Sequence, residues 1–118
     1  MNKKYLEIKK LIQENRPDVE IAEALSNYHE NDIAELLENL SQPERKRIYH
    51  VLGLAKTANV FPYFDDPQQY IEEISVEDAA AIISLLDSDD AVDILEQLDP
   101  GKKTRIVEKL HGTIAQDV

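Results

Sequence analysis

A large apolar residue recurs along this chain at Tyr28, Leu40, Leu52, Phe64, Ile74, Leu86, Leu98 and Leu110. The interval is twelve except from 64 to 74, where two residues are missing. The register is plainest where Asp78-Ala-Ala-Ala-Ile-Ile-Ser-Leu-Leu-Asp87 overlays Asp90-Ala-Val-Asp-Ile-Leu-Glu-Gln-Leu-Asp99. If the next residue (29, 41, 53, 65, 75, 87, 99 or 111) is a helix cap, apolar pairs recur seven and eight residues beyond it. They are Leu36/Leu37, Ile48/Tyr49, Val60/Phe61, Ile82/Ile83, Ile94/Leu95 and Ile106/Val107. Small or apolar residues recur five beyond it, at Ala34, Ala58, Ala80 and Val92.

This pattern predicts one amphipathic helix of about nine or ten residues per unit, roughly 14 Å long, and a shorter one after position 65. Cap chemistry agrees. Ser41, Asp65, Ser75, Asp87 and Asp99 each carry an oxygen able to accept from an N–H two or three residues on. Ser41 with Glu44 and Asp65 with Gln68 fit a capping box; Ser75 with Asp78 and Asp87 with Asp90 are acidic versions of it. Pro100 follows Asp99 at a first helical position, where its missing N–H is harmless. Helices below about 12 residues are marginal alone in water, so neighbours must stack to bury the repeated pairs. The expected fold is all-α, an α-solenoid of short helices in one domain over residues 1–118. An opening helix within 1–16, marked by Tyr5, Ile8, Leu11 and Ile12, would cap the stack. Residues 17–111 would hold the repeats, with Ile21, Ala24 and Leu25 marking the first helix and Gly112 stopping the last before a tail at 112–118.

Charge sharpens the picture. The chain has 13 Lys and Arg against 24 Asp and Glu, a formal −11. Residues 65–99 hold twelve of the acids and no Lys or Arg. Such a segment repels itself unless it is solvated or something cationic offsets it: salt, a basic partner or a metal ion. The balance argues against nucleic acid, whose phosphates are met by Lys and Arg. With no cysteine, disulfides, thiol nucleophiles and cysteine zinc sites are absent, which suits a reducing cytosol. No apolar run approaches the roughly 18 residues of a membrane span, and the start MNKKYLEIKK lacks a signal-peptide core, so a soluble chain is expected.

Enzyme chemistry is poorly served. No serine sits in a G-x-S-x-G turn, and Gly53, Gly101 and Gly112 stand too far apart to cradle a phosphate. His29, His50 and His111 lack the i, i+4 pairing of a zinc helix. Acids are plentiful, yet stacked short helices give shallow faces rather than the closed pocket that tunes a catalytic carboxylate. The sharper constellation is Leu86-Asp-Ser-Asp-Asp-Ala-Val-Asp-Ile-Leu95, in which Asp89 and Asp93 project from one helix face. The helix dipole accounts for Asp87, Asp89 and Asp90 in the first turn, but Asp93 lies beyond it. A hard divalent ion accounts for it as well: Mg²⁺ takes one or two carboxylates and keeps several waters.

The units His29-Glu-Asn-Asp-Ile-Ala-Glu-Leu-Leu-Glu-Asn-Leu40 and Asp87-Ser-Asp-Asp-Ala-Val-Asp-Ile-Leu-Glu-Gln-Leu-Asp-Pro100 resemble the cytosolic N domain of MgtE-type magnesium transporters, over about residues 17–111. Glu30 and Ser88 stand where that family often has proline. The resemblance implies a right-handed superhelix joined, in a larger homodimeric membrane protein, to CBS domains; the end at Val118 would make this chain a fragment. It implies a Mg²⁺ sensor with weak binding, about millimolar at most in isolation, whose acidic face docks on the CBS domains when the ion is bound and favours a closed channel. The implied ligands are Asp89 and Asp93, with Asp90 beside them. A further acidic position of the family falls on Asn59, which offers a carbonyl oxygen without charge. The alternative is a metal-free interaction scaffold like the armadillo-like region of the flagellar motor switch protein FliG, with a partner surface at the basic residues 43–56.

Overall fold

The computed structural model describes the backbone of residues 3–116 and the side chains of residues 3–111. Among these residues the chain is all-helical, without strand: α1 Lys3–Gln13, α2 Asp18–Leu25, α3 Glu30–Glu38, α4 Gln42–Val60, a 3-10 turn Phe61–Tyr63, α5 Pro67–Glu72, α6 Val76–Ser84, α7 Ser88–Gln97 and α8 Pro100–Gln116. The helices form two compact units, residues 1–64 and 65–118.

In the first unit α1, α2 and α3 each pack on α4, and the 3-10 turn packs on α3 and α4. Ile8, Ile21, Leu36, Leu37, Ile48 and Phe61 are fully enclosed. Phe61 meets Phe64 edge to face, centroids 5.1 Å apart. Two polar ties hold α1 and the turn after it. The buried Tyr5 hydroxyl donates to Glu35 Oε2 at 3.0 Å; burial, and then this carboxylate, push its pKa up to about 12. Arg47 of α4 donates to Asp18 Oδ1 at 2.9 Å, to Asn15 Oδ1 at 2.9 Å and to the Arg16 carbonyl. Asn15 holds a left-handed φ of 53°, a conformation asparagine tolerates better than most residues.

In the second unit α5 packs on α7 and α6 on α8. Its core holds Tyr70, Ile71, Ala79, Ile82, Ile83, Ile94, Leu98 and Ile106. The start of α8 closes the end of α5: the Asp99 N–H donates to Glu72 Oε1 at 2.9 Å, and Lys102 Nζ donates to the Glu72 and Ile74 carbonyls. A helix leaves its last carbonyls without partners, and a lysine is a natural donor there.

Helices α3, α4, α6 and α7 take their N-caps from His29, Ser41, Ser75 and Asp87. The Ser41 box closes both ways, Ser41 N–H to Glu44 Oε1 at 2.9 Å and Glu44 N–H to Ser41 Oγ at 3.4 Å. Asp78 N–H donates to Ser75 Oγ at 3.1 Å, whereas the Asp87 side chain makes no cap bond. At Gly53 the backbone leaves the helical region (φ 79°, ψ 169°), kinking α4 between Leu52 and Leu54.

Three expectations are corrected. The short helix α5 is capped by Asp66 rather than Asp65, because Pro67 takes the first helical position and so fixes the cap just before it. No helix begins at 111 and none stops at Gly112: both residues lie inside α8, which runs to Gln116. A helical glycine costs about 1 kcal/mol relative to alanine, but it ends a helix only when it turns left-handed. Residues 117–118 of the expected tail lie outside the described residues. Finally, Ala34, Ala58 and Ala80 are buried, but Val92 is 50 % exposed. Residues two apart point to nearly opposite sides of a helix. Helix α6 buries one wide face that includes both Ala80 and Ile82 at its edges, whereas α7 buries Ile94 alone.

The kink leaves one polar atom stranded. Thr57 is 2 % exposed, and its Oγ1 has no hydrogen-bond partner among the described residues. In an unbroken helix this hydroxyl reaches the carbonyl four residues back, but the Gly53 ψ of 169° rotates that carbonyl away. Thr57→Val keeps the shape and removes the orphan, so it is expected to raise stability by about 1 kcal/mol, read as a higher urea midpoint at unchanged slope.

Candidate metal-binding face

Helix α7 starts cleanly because Asp87 is extended (φ −61°, ψ 149°) and its carbonyl accepts from Ala91 N–H at 2.9 Å. Asp89 and Asp90 occupy its first turn, where the dipole favours them. Its end is drawn in by Leu98 N–H on the Leu95 carbonyl at 3.3 Å, and Gln97 Nε2 donates to the Asp93 carbonyl at 3.1 Å. Ile94, 2 % exposed, pins one side to the core. The opposite stripe, Asp89, Val92, Asp93 and Glu96, is exposed. Its i, i+3, i+4, i+7 spacing makes it one helical face.

Other acids of the second unit have work within it. Glu72 accepts from the Asp99 backbone, Asp99 Oδ2 accepts from Gly101 N–H at 3.1 Å, and Glu77 faces Lys109 at 3.6 Å. The acids of α7 do not: among the described residues the carboxylates of Asp89, Asp90, Asp93 and Glu96 take no hydrogen bond and no ion pair. Asp90, four residues before Ile94, is half-buried, leaving Asp89 and Asp93 as the exposed i, i+4 pair. The acid excess belongs to this unit: residues 1–64 carry nine Lys and Arg against ten Asp and Glu, residues 65–118 four against fourteen.

The donor set suits a hard divalent cation in kind and falls short in number. Two carboxylates on adjacent turns reach one hydrated ion. Among the described residues no group of three or more His, Cys, Asp or Glu could hold a metal ion, so this face by itself does not make up a metal centre. Asn59 lies on the exposed side of α4 in the first unit. Of the histidines in the first unit, His29 caps α3, its N–H donating to Asp32 Oδ2 at 3.4 Å, and His50 Nε2 lies 3.3 Å from Asp18 Oδ2. The basic residues 43–56 are partly engaged inside the first unit, Arg47 as above and Arg45 with the Leu40 carbonyl. What the sequence did not disclose is Val92 standing exposed within the acidic stripe.

A family model described as the MgtE intracellular N domain matches residues 28–118, three-quarters of the chain. The chain belongs to the MgtE intracellular N domain family. That family is not one of enzymes, and this MgtE N domain is accordingly non-catalytic. Among solved structures, it is similar to one described as the crystal structure of the soluble part of a magnesium transporter, with a TM-score of 0.80 at 19 % identity over 89 % of this chain. At that identity the likeness speaks for the fold. The MgtE N domain here spans 42 % of that structure's chain. A comparison with curated proteins finds no match. No described helix is long and apolar enough to cross a membrane.

Proposed function

We propose that this chain is the cytosolic, Mg²⁺-responsive regulatory domain of a homodimeric magnesium transporter, and that its short helices continue a right-handed superhelix on a twelve-residue repeat. The observation that carries the reading is the exposed Asp89/Asp93 pair, without a partner among the described residues, on a domain of the MgtE N family. In this reading the α7 face opposes acidic CBS domains of the same transporter. Bare carboxylates on both surfaces repel, which keeps the domains apart and the channel open. When bound, Mg²⁺ supplies the positive charge both faces need.

Asp89 and Asp93 then present oxygens to a shared hydrated site that neither surface completes alone. Asp89 stands in the first turn of α7, where the helix dipole favours negative charge, and Ile94 fixes the rotation of the helix so that both carboxylates face outward. An ion bound only in the docked arrangement favours docking by about 1.4 kcal/mol for each tenfold excess over its dissociation constant.

Asp89→Ala with Asp93→Ala in the full transporter is expected to raise the Mg²⁺ concentration for half-closure about tenfold, while the circular dichroism of this domain stays unchanged. Channel opening with an unaltered Mg²⁺ dependence overturns the assignment.

A further inference from the structure

The first unit contains a groove of about 340 Å³ where the corner between α2 and α3 meets the kink of α4. Its lining is apolar below and charged above. Leu25, Ile33 and Val60 are buried, and Val51 and Leu52 are half-buried beside them. Lys56 and Asn59 line it from α4, and Glu30 lines it from the first turn of α3. Lys56 and Asn59 are three residues apart on one helical segment and so share a face. All three polar side chains are exposed, and among the described residues none has a hydrogen-bond or ion-pair partner. The other two polar linings are already engaged: Ser26 Oγ donates to the Glu23 carbonyl, and Tyr28 Oη to the Lys4 carbonyl at 2.7 Å.

An ammonium and an amide on one wall, a carboxylate from another helix and an aliphatic floor form a three-part recognition pattern. Lys56 Nζ and the Asn59 amide can donate to a carboxylate head. An ammonium group is met by Glu30. An aliphatic or aromatic body displaces water from Leu25, Ile33, Val51 and Val60. The volume lies at the small end of ligand pockets, which run from about 300 Å³ upward, and so suits a small molecule. A bare divalent cation is disfavoured, because Lys56 repels it and only one carboxylate lines the groove. We propose that this groove binds a small apolar zwitterion, the chemistry of a free aliphatic or aromatic α-amino acid. The site lies wholly within the first unit and does not depend on the Mg²⁺ reading of α7.

The probes are L-leucine, L-leucinamide and N-acetyl-L-leucine, each titrated into the whole chain while the methyl resonances of Leu25, Ile33, Val51, Leu52 and Val60 are followed by NMR. Exposed charges contribute little each, so leucine is expected to give saturable shifts with a dissociation constant of about 1–10 mM. Leucinamide lacks the carboxylate and acetylleucine lacks the ammonium. Each is expected to bind about fivefold more weakly, as is leucine to the Lys56→Met and Glu30→Gln variants. Both substitutions are at exposed positions, so unchanged methyl spectra of the free variants will show that the fold is intact. Absence of saturable shifts up to about 50 mM leucine overturns the proposal. Equal affinity for all three probes overturns it too, since the groove would then be reading the apolar body alone.

Discussion

Phe61→Ala is expected to lower the stability of the first unit by about 4 kcal/mol, close to a thousandfold in its folding equilibrium. The ring is 0 % exposed and begins the 3-10 turn that packs on both α3 and α4. Truncation removes the burial of a phenyl group and its edge-to-face contact with Phe64, itself worth about 0.5–1.5 kcal/mol, and leaves a void. Neighbours cannot collapse freely into that void. Val60 and Ala58, on the same run of backbone, are already buried, and Pro62 fixes the φ of the residue after Phe61. Native-state hydrogen exchange of the α3 and α4 amides reads the loss in this unit directly. Phe61→Leu, which refills most of the volume, is expected to cost about 1.5 kcal/mol. A loss below about 1 kcal/mol for the alanine variant would mean that the turn does not anchor these helices.

Much of this architecture could be read from the chain because it rests on local chemistry. Ser41, Ser75, Asp87 and Asp99 mark helix starts in the sequence and stand at helix starts in the structure. The first residue of each predicted apolar pair, Leu36, Ile48, Val60, Ile82, Ile94 and Ile106, is buried. The misses occur where local chemistry gives way to something else. Asp65 and Asp66 are equivalent as cap residues, and only Pro67 decides between them. Val92 satisfies the same spacing as Ala80, but how wide a face of a helix is covered depends on its neighbours, which periodicity along one helix does not report.

The candidate sites divide in the same way. The spacing of Asp89 and Asp93 put them on one face before any coordinates, and charge counting set them in a stretch without bases. That the α7 acids have no partners among the described residues while Glu72 and Glu77 find them far along the chain is a tertiary fact. The groove in the first unit was not legible at all, since Glu30 and Lys56 are distant in sequence and no spacing rule brings them together.

Gly53 is where sequence, backbone and groove meet, and Gly53→Ala is expected to destabilise the first unit by about 2 kcal/mol. The cause is conformational and nothing else. A Cβ built at this position has no heavy atom within 4 Å, so the added methyl meets open space. The backbone, however, holds φ 79° with ψ 169°, a region that is essentially reserved to glycine. An L-residue must hold that strain or straighten the kink. Straightening would move Val51 and Leu52, on one side, relative to Lys56, Asn59 and Val60 on the other, and these five line the groove together. The two causes of a loss separate with D-alanine introduced by chemical ligation, whose favoured region is the mirror image and includes this conformation. D-alanine is expected to match or exceed the native stability in a urea titration, since it also narrows the unfolded ensemble. An equal loss with both enantiomers would place the fault in the methyl group itself and remove backbone handedness as the reason for glycine at this kink.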